Sequence, residues 1–154
     1  MIYWVFGGTA VGKKRFINRC LDPETRPEFM RSDSIAATWM NEGELCLDII
    51  GQSESFDVLV RWQWGREQEL IRILEKYSGI QQSIVMLSTG LIIQLSRIAL
   101  REGCLMWDAE AIHFEMRSIY ELVQCISERF NVPVLYVDSS SSEKYEVRSC
   151  KYPA

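Results

Sequence analysis

Hydrophobic residues follow two spacings along this chain: short continuous runs, and the repeat of three to four residues that is typical of a helix. The continuous runs predict buried strands over residues 2–6, 45–50, 83–87, 104–107 and 132–137. The helical repeat predicts helices over residues 66–77, 91–102 and 109–129, and residues 15–20 can continue the glycine-rich turn as a helix. Apolar strands that alternate with helices predict an α/β fold, in which a mainly parallel sheet is covered on both faces.

The segments between these elements have weaker patterns. Residues 35–40 are compatible with a short strand, whereas residues 53–64 are polar and aromatic by turns and no element is assigned there. The 154 residues are expected to form a single domain without internal repeats. Residues 21–44, which carry two prolines, are interpreted as a variable insertion within that domain.

Polar residues gather where the predicted strands end, and parallel α/β sheets bind their ligands beyond the carboxyl ends of their strands. These positions are Gly7–Lys14, Asp48–Gln52, Ser88–Gly90, Asp108 and Asp138–Ser142. Among these segments, Gly7–Lys14 has the most specific sequence motif.

A glycine, four residues, a second glycine and a lysine lie between the first predicted strand and the first predicted helix. This order is typical of a phosphate-binding loop (P-loop), in which backbone N–H groups and the positive end of the following helix face phosphate oxygens. Lys13 would reach the terminal phosphates as a compact charge. The cofactor-binding residues predicted from the pattern are Gly7, Gly8, Thr9, Ala10, Val11, Gly12, Lys13, Lys14 and Arg15.

The position after Lys13 departs from the usual motif. A serine or threonine hydroxyl normally holds Mg²⁺ there, but this chain has Lys14, and Arg15 offers no hydroxyl either. The pattern therefore predicts a nucleoside triphosphate as ligand and leaves the use of Mg²⁺ in question. No set of metal-ligating residues is predicted.

Charge and composition narrow the range of partners. The net charge of −4 argues against general binding of nucleic acids, which requires a basic face. A local basic cluster at Lys13, Lys14, Arg15 and Arg19 is better explained by the phosphates of a nucleotide. The five cysteines form no C-x-x-C pair, no apolar run is long enough for a membrane span, and Met1 leads directly into a strand. We therefore expect a cytoplasmic protein with no membrane partner.

Several segments resemble the small P-loop kinases of metabolites, nearest in pattern to the shikimate and gluconate kinases. Ile71–Glu75 is similar to the F-R-x-L-E helix segment of that family, and Ile84–Gly90 is similar to its third strand and glycine turn. Cys104–Ile112, with Arg117 after it, resembles the strand and turn that open the family's lid helix. Residues 134–147 resemble the loop that closes over adenine.

The resemblance implies the P-loop NTPase fold, a three-layer α/β/α arrangement with a mainly parallel sheet of five strands in the order 2-3-1-4-5. It also implies ATP as phosphoryl donor, and a small hydroxylated metabolite, nucleoside or nucleotide as acceptor. Residues 108–131 would correspond to a short lid-like region.

The same resemblance implies site residues outside the glycine loop. With Lys13, the catalytic residues would be Asp48, as the base at the acceptor site, and Arg117, which reaches the transferring phosphate. Arg72 would bind an acidic group of the substrate, although an ion pair with Glu69 or Glu75 is an equally plain alternative.

The remaining implied contacts follow the third and fifth strands. Gly90 would contribute to the substrate turn, which retains only Thr89-Gly90 of the triple glycine of shikimate kinases. Ser139 and Ser140 would contact the nucleotide base.

Two alternatives from other functional classes stay open. Asp48–Gln52 fits the D-x-x-G-Q motif of a small GTPase-like switch, although the guanine-specific N-K-x-D motif is absent after the fourth predicted strand. The second alternative is a nucleotide-binding module without turnover, for which Lys14 is the best support.

Overall fold

The computed structural model describes residues 1–30, 34–39, 44–51, 55–62, 66–103, 108–141 and 143–148. The strands in these ranges are β1 Ile2–Phe6, β2 Ile35–Trp39, β3 Asp57–Arg61, β4 Gln82–Ser88, β5 Val134–Asp138 and β6 Glu146–Arg148. The helices there are α1 Lys13–Leu21, α2 Glu44–Gly51, α3 Glu67–Lys76, α4 Leu91–Glu102 and α5 Ala109–Phe130, with a short 3-10 helix at Glu28–Met30.

The described strands form one sheet in the order β2-β3-β1-β4-β5-β6. Neighbours from β2 to β5 are parallel, and β6 adds to the edge of β5 in the antiparallel sense. The central strand β1 is apolar on both faces, with Ile2, Trp4, Val5 and Phe6 fully buried. The predicted α/β class with a mainly parallel sheet is confirmed, and the arrangement is consistent with three layers.

The number and order of the predicted strands are wrong, because the described part of the chain contains six strands and partly different segments form them. Residues 45–50, predicted as a strand, belong to helix α2. A continuous apolar run lacks the periodicity that separates a buried strand from a short buried helix. Strand β3 was not predicted, although its centre, Val58–Val60, is fully buried. The strand predicted at residues 104–107 lies outside the described residues.

Helix α1 is fixed to the sheet by its apolar face. Phe16, Ile17 and Cys20 are fully buried, and the Phe16 ring meets Tyr145 edge to face at 5.1 Å between ring centroids. Burying such side chains is the main source of stability in a fold of this kind. The N-terminus of α1 is thereby held beyond the carboxyl ends of β1 and β3.

Candidate phosphate-binding site

The segment between β1 and α1, residues 7–12, is called here the glycine loop. Gly12 is the N-cap of α1 and has the left-handed backbone angles φ 91° and ψ 35°. Glycine adopts these angles without steric cost, whereas Ala10, at φ 62°, adopts a left-handed conformation that is uncommon for a residue with a Cβ atom. The loop thus turns sharply into a helix whose first N–H groups have no partner within that helix.

Lys13 folds back over the glycine loop. Its ammonium group donates to the carbonyl oxygens of Gly7 at 2.7 Å and Gly8 at 3.2 Å. Burial lowers the pKa of Lys13 to about 8, and the positive charges of Arg61 and Arg101 act in the same direction. Burial and the two arginines therefore disfavour the charged form of Lys13, whereas the carboxylate of Glu115 favours it.

Helix α5 approaches the other side of the loop closely. The carboxylate of Glu115, which is only 8% exposed, accepts hydrogen bonds from the backbone N–H of Thr9 and, at 2.8 Å, from its hydroxyl. A Cβ atom at position 8 would lie 2.7 Å from Glu115 Oε1 and even closer to Met116 Sδ. A side chain at position 8 would therefore displace the ends of these two side chains.

Helix α4 binds the carbonyl groups of the loop. The buried Gln94 amide donates to Thr9 O at 2.6 Å. Arg97 donates to Ala10 O and Val11 O, both at 3.3 Å, and its other terminal nitrogen donates to the carbonyl oxygens of Ser139 and Ser140 at 2.9 and 3.2 Å. One guanidinium group thus joins the glycine loop to the loop after β5.

A cavity of about 530 Å³ opens at the start of α1. Among the residues that the structure describes, its cationic side chains are Lys13, Lys14, Arg15, Arg19, Arg61 and Arg101. We call it the basic cavity; Ala10, Gly12, Asn18, Asp22 and Thr25 complete its lining. Asp22 supplies the one carboxylate among these described lining residues, so the charge of this lining is predominantly positive.

The predicted loop residues divide into two groups. Ala10, Gly12, Lys13, Lys14 and Arg15 line the basic cavity, where a phosphate would bind. The other predicted residues are Gly7, Gly8, Thr9 and Val11. They form the body of the loop and are held by packing and by the hydrogen bonds from α4 and α5.

Three of the site residues taken from the kinase resemblance lie elsewhere. Asp48 was predicted at the end of a strand, and this position is wrong because it lies exposed on helix α2. Arg72 is exposed on α3, and Arg117 is exposed on α5. None of the three is among the described residues that line the basic cavity.

Two of the alternatives weighed from the sequence can be compared with these positions. The expected partners of Arg72 are engaged by other arginines, since Glu69 pairs with Arg66 and Glu75 pairs with Arg129 at 2.9 Å. The D-x-x-G part of the switch motif lies within α2, and residue 52 is outside the described residues.

The predicted lid-like region consists of α5 and its N-cap Asp108, which accepts from the N–H of Ala111 at 2.7 Å.

The predicted base-contacting serines bond to protein atoms, Ser139 to the glycine loop and Ser140 to the loop after β4. The hydroxyl oxygen of Ser139, a residue 2% exposed, is 2.6 Å from Val11 O and 3.1 Å from Ser88 O. Ser140 Oγ accepts from the N–H of Gly90 at 3.2 Å and shares a hydrogen bond with the Thr89 hydroxyl at 3.0 Å. These residues join the loops after β4 and β5.

Sequence reasoning missed the residues that other elements bring to the glycine loop: Arg61, Gln94, Arg97, Arg101 and Glu115. Arg61 was missed because β3 was missed. A signal did exist for Glu115, which lies between Ile112 and Ile119 at helical spacing, so that a carboxylate interrupts an apolar face. Such a polar residue on a buried face requires a hydrogen-bond partner.

A second cavity, of about 560 Å³, lies at the opposite end of the sheet, near Met1, Gln82 and Pro133. No side chain that is charged at neutral pH lines it in the described part of the chain. Its one charged group among the described lining residues is the amino group of Met1, which pairs with Asp57 at 3.1 Å, so we assign the candidate site to the basic cavity.

Comparison with models of protein families gave no match, and comparison with curated protein sequences gave no significant similarity. Of the helices in the described residues, none combines the length and the hydrophobicity that crossing a bilayer requires.

Proposed function

We propose that this chain is a nucleotide-binding domain of the P-loop NTPase class, which binds the triphosphate of ATP in the basic cavity. The observation that carries the proposal is the concentration of lysine and arginine side chains around the N-terminus of α1, directly after the glycine loop. Fixed cations and a helix N-terminus attract the same ligand, a compact and highly charged anion.

The surrounding contacts support a site formed before its ligand arrives. Gln94 and Arg97 hold the loop carbonyl groups, and Glu115 holds the start of the loop. A loop that is already ordered loses less conformational entropy when it binds a ligand. The hydrogen bonds from Lys13 to Gly7 and Gly8 would be exchanged for contacts with phosphate oxygens.

Phosphoryl transfer to a small hydroxylated metabolite, nucleoside or nucleotide is the catalytic form of this proposal. It is favoured by the positions of Arg61 and Arg101, which add to Lys13 the positive charge that stabilises a transferring phosphoryl group. The roles proposed for Asp48, Arg72 and Arg117 would require these exposed side chains to meet an acceptor outside the basic cavity.

Calorimetric titration of the purified chain with ATP, and separately with GTP, tests the proposal. Each titration is made with excess EDTA and again with Mg²⁺, on the wild type and on Lys13→Ala. We expect ATP to bind, and Lys13→Ala to weaken binding by about 10- to 100-fold, because one charge-assisted contact contributes about 1.5–3 kcal/mol. The matched control Lys76→Ala removes one lysine from the last turn of α3, outside the cavity lining.

Different outcomes separate the functional classes. Absence of heat with both nucleotides under all conditions, with circular dichroism showing a folded chain, contradicts the proposal. A preference for GTP over ATP would favour the switch. ATP binding followed by ADP release in the presence of a hydroxylated acceptor would support phosphotransfer, and binding without any turnover would support a non-catalytic module.

A further inference from the structure

We propose that the basic cavity binds its polyphosphate ligand free of divalent metal, and that Lys14 and Arg61 provide positive charge in place of Mg²⁺. This inference rests on the proposed function, since it concerns how the same cavity neutralises the phosphates. It goes further by identifying the form of the ligand that binds, a metal-free nucleoside triphosphate.

The first observation is that the lining does not suit Mg²⁺. This ion requires near-octahedral oxygen ligands and is usually held by one or two carboxylates in addition to phosphates. Lys14 lines the cavity where the motif normally supplies a hydroxyl. In the described part of the chain, no group of three or more histidine, cysteine, aspartate or glutamate residues is placed to hold a metal ion.

The carboxylate and hydroxyl side chains of the lining are engaged at the far end of α1. The third oxygen-bearing side chain, the amide of Asn18, is neutral and exposed on α1. Asp22 is the C-cap of that helix, and its carboxylate accepts from the N–H of Glu24 at 3.0 Å. The Thr25 hydroxyl donates to Arg19 O at 3.0 Å. Nine residues of helix separate Asp22 from Lys13, which corresponds to about 13 Å along the axis. A metal ion beside Lys13 is therefore out of reach of the Asp22 carboxylate.

The second observation is the position of Arg61. It is the last residue of β3, which runs parallel to β1 and pairs Arg61 with Val5, just before the glycine loop. In P-loop NTPases a strand-end aspartate and the loop hydroxyl hold Mg²⁺ together. Here a guanidinium group lies at the end of the strand adjacent to β1 and lines the cavity. It repels a divalent cation and attracts phosphate oxygens.

The electrostatic state of Lys13 supports this conclusion. Burial lowers its pKa most, and the charges of Arg61 and Arg101 add to this effect while Glu115 opposes it. A metal-free triphosphate brings more negative charge to these cations than its Mg²⁺ complex does. Chelated Mg²⁺ reduces the negative charge of the ligand and adds a cation that the two positive side chains repel.

Calorimetric titration of the full chain with ATP in excess EDTA and in excess Mg²⁺ tests the inference. We expect the dissociation constant to be about tenfold larger with Mg²⁺. Inorganic tripolyphosphate, titrated in the same two buffers, is also expected to have a larger dissociation constant with Mg²⁺ than with EDTA. This second probe, which has no base, tests whether the phosphates alone account for the weaker binding with Mg²⁺.

The variants Lys14→Ser and Arg61→Gln test the assignment to these two side chains. Lys14→Ser introduces the hydroxyl that the motif normally has, and we expect it to bind metal-free ATP roughly fivefold more weakly and to narrow the difference between the two buffers. The matched control Lys76→Ser removes a lysine outside the cavity lining and is expected to leave both dissociation constants unchanged. Circular dichroism confirms that each variant is folded.

The outcomes separate this inference from the proposed function. ATP that binds only with Mg²⁺, or binds more tightly with it, would overturn the metal-free inference and leave the nucleotide site in place. A Lys14→Ser or Arg61→Gln chain with an unchanged ratio between the dissociation constants in the two buffers would overturn the assignment to that side chain. Failure of ATP and tripolyphosphate to bind in either buffer would instead contradict the proposed function itself.

Discussion

Lys13 changes its protonation state close to neutral pH, because burial and two neighbouring arginines lower its pKa to about 8. A bound phosphate stabilises the charged ammonium and raises this pKa, so the complex holds more protons than the free protein above pH 8. We predict that binding of metal-free ATP takes up protons and weakens as the pH rises from about 8 toward 10. Calorimetry in buffers of different ionisation enthalpy measures this uptake.

Lys13→Arg is the control for this pH dependence. A guanidinium group keeps its charge throughout the range, so the variant should bind ATP with little proton uptake. Lys76→Arg makes the same change on α3 and should retain the wild-type uptake. Equal uptake by the wild type and Lys13→Arg would show that another group titrates.

Glu115 holds the start of the glycine loop through the backbone and hydroxyl of Thr9. Glu115→Ala would leave a Thr9 N–H without its acceptor, so we predict a loss of about 1–3 kcal/mol in the free energy of unfolding. Urea denaturation measures it. Glu121→Ala makes the same change at an exposed site of α5 and is the matched control. Similar losses in both variants would contradict the assigned contact.

Elements could be predicted where their periodicity was unambiguous. The amphipathic repeats of α3 and α4 and the apolar runs of β1 and β4 indicated the observed elements. The segment 44–51 could not be assigned from its pattern, since an unbroken apolar run fits a buried strand and a short helix equally well. The site could be predicted only in part. The glycine loop is a continuous motif in the sequence, whereas Arg61, Arg97 and Glu115 reach it through tertiary packing.

Arg97 connects the glycine loop with the loop after β5 through four carbonyl contacts, although Val11 and Ser139 of these loops lie 128 positions apart in sequence. Arg97→Lys keeps the charge and loses the fork that spans both loops, so we predict a loss of about 1–2 kcal/mol in the free energy of unfolding. Urea denaturation measures the change, and Arg72→Lys at an exposed site of α3 is the matched control. An unchanged midpoint for Arg97→Lys would show that the two loops are held together without this residue.

At the scale of the whole molecule, the charge distribution is uneven. The chain has a net charge of −4, yet the described lining of the basic cavity contains six cationic side chains and one carboxylate. Such a distribution favours a small anion at one place over a long polyanion along a face. The absence of nucleic-acid binding stays a prediction from the sequence that this asymmetry supports.

We predict that ATP affinity falls as salt is added, because the contributing charges are partly exposed and act over distances that salt screens. The screening length shortens from about 10 Å at 0.1 M to about 3 Å at 1 M ionic strength. Titration in increasing sodium chloride, with EDTA present, should therefore weaken binding by roughly tenfold over this range.

Lys13→Ala and Lys14→Ser are each expected to reduce the slope of this dependence, since each removes one of the charges that salt screens. Lys76→Ser should retain the wild-type slope, because its charge lies outside the cavity lining. An affinity that does not change with salt would mean that contacts other than these charges dominate binding. The nucleotide would then have to be held mainly through its base and sugar, away from the glycine loop.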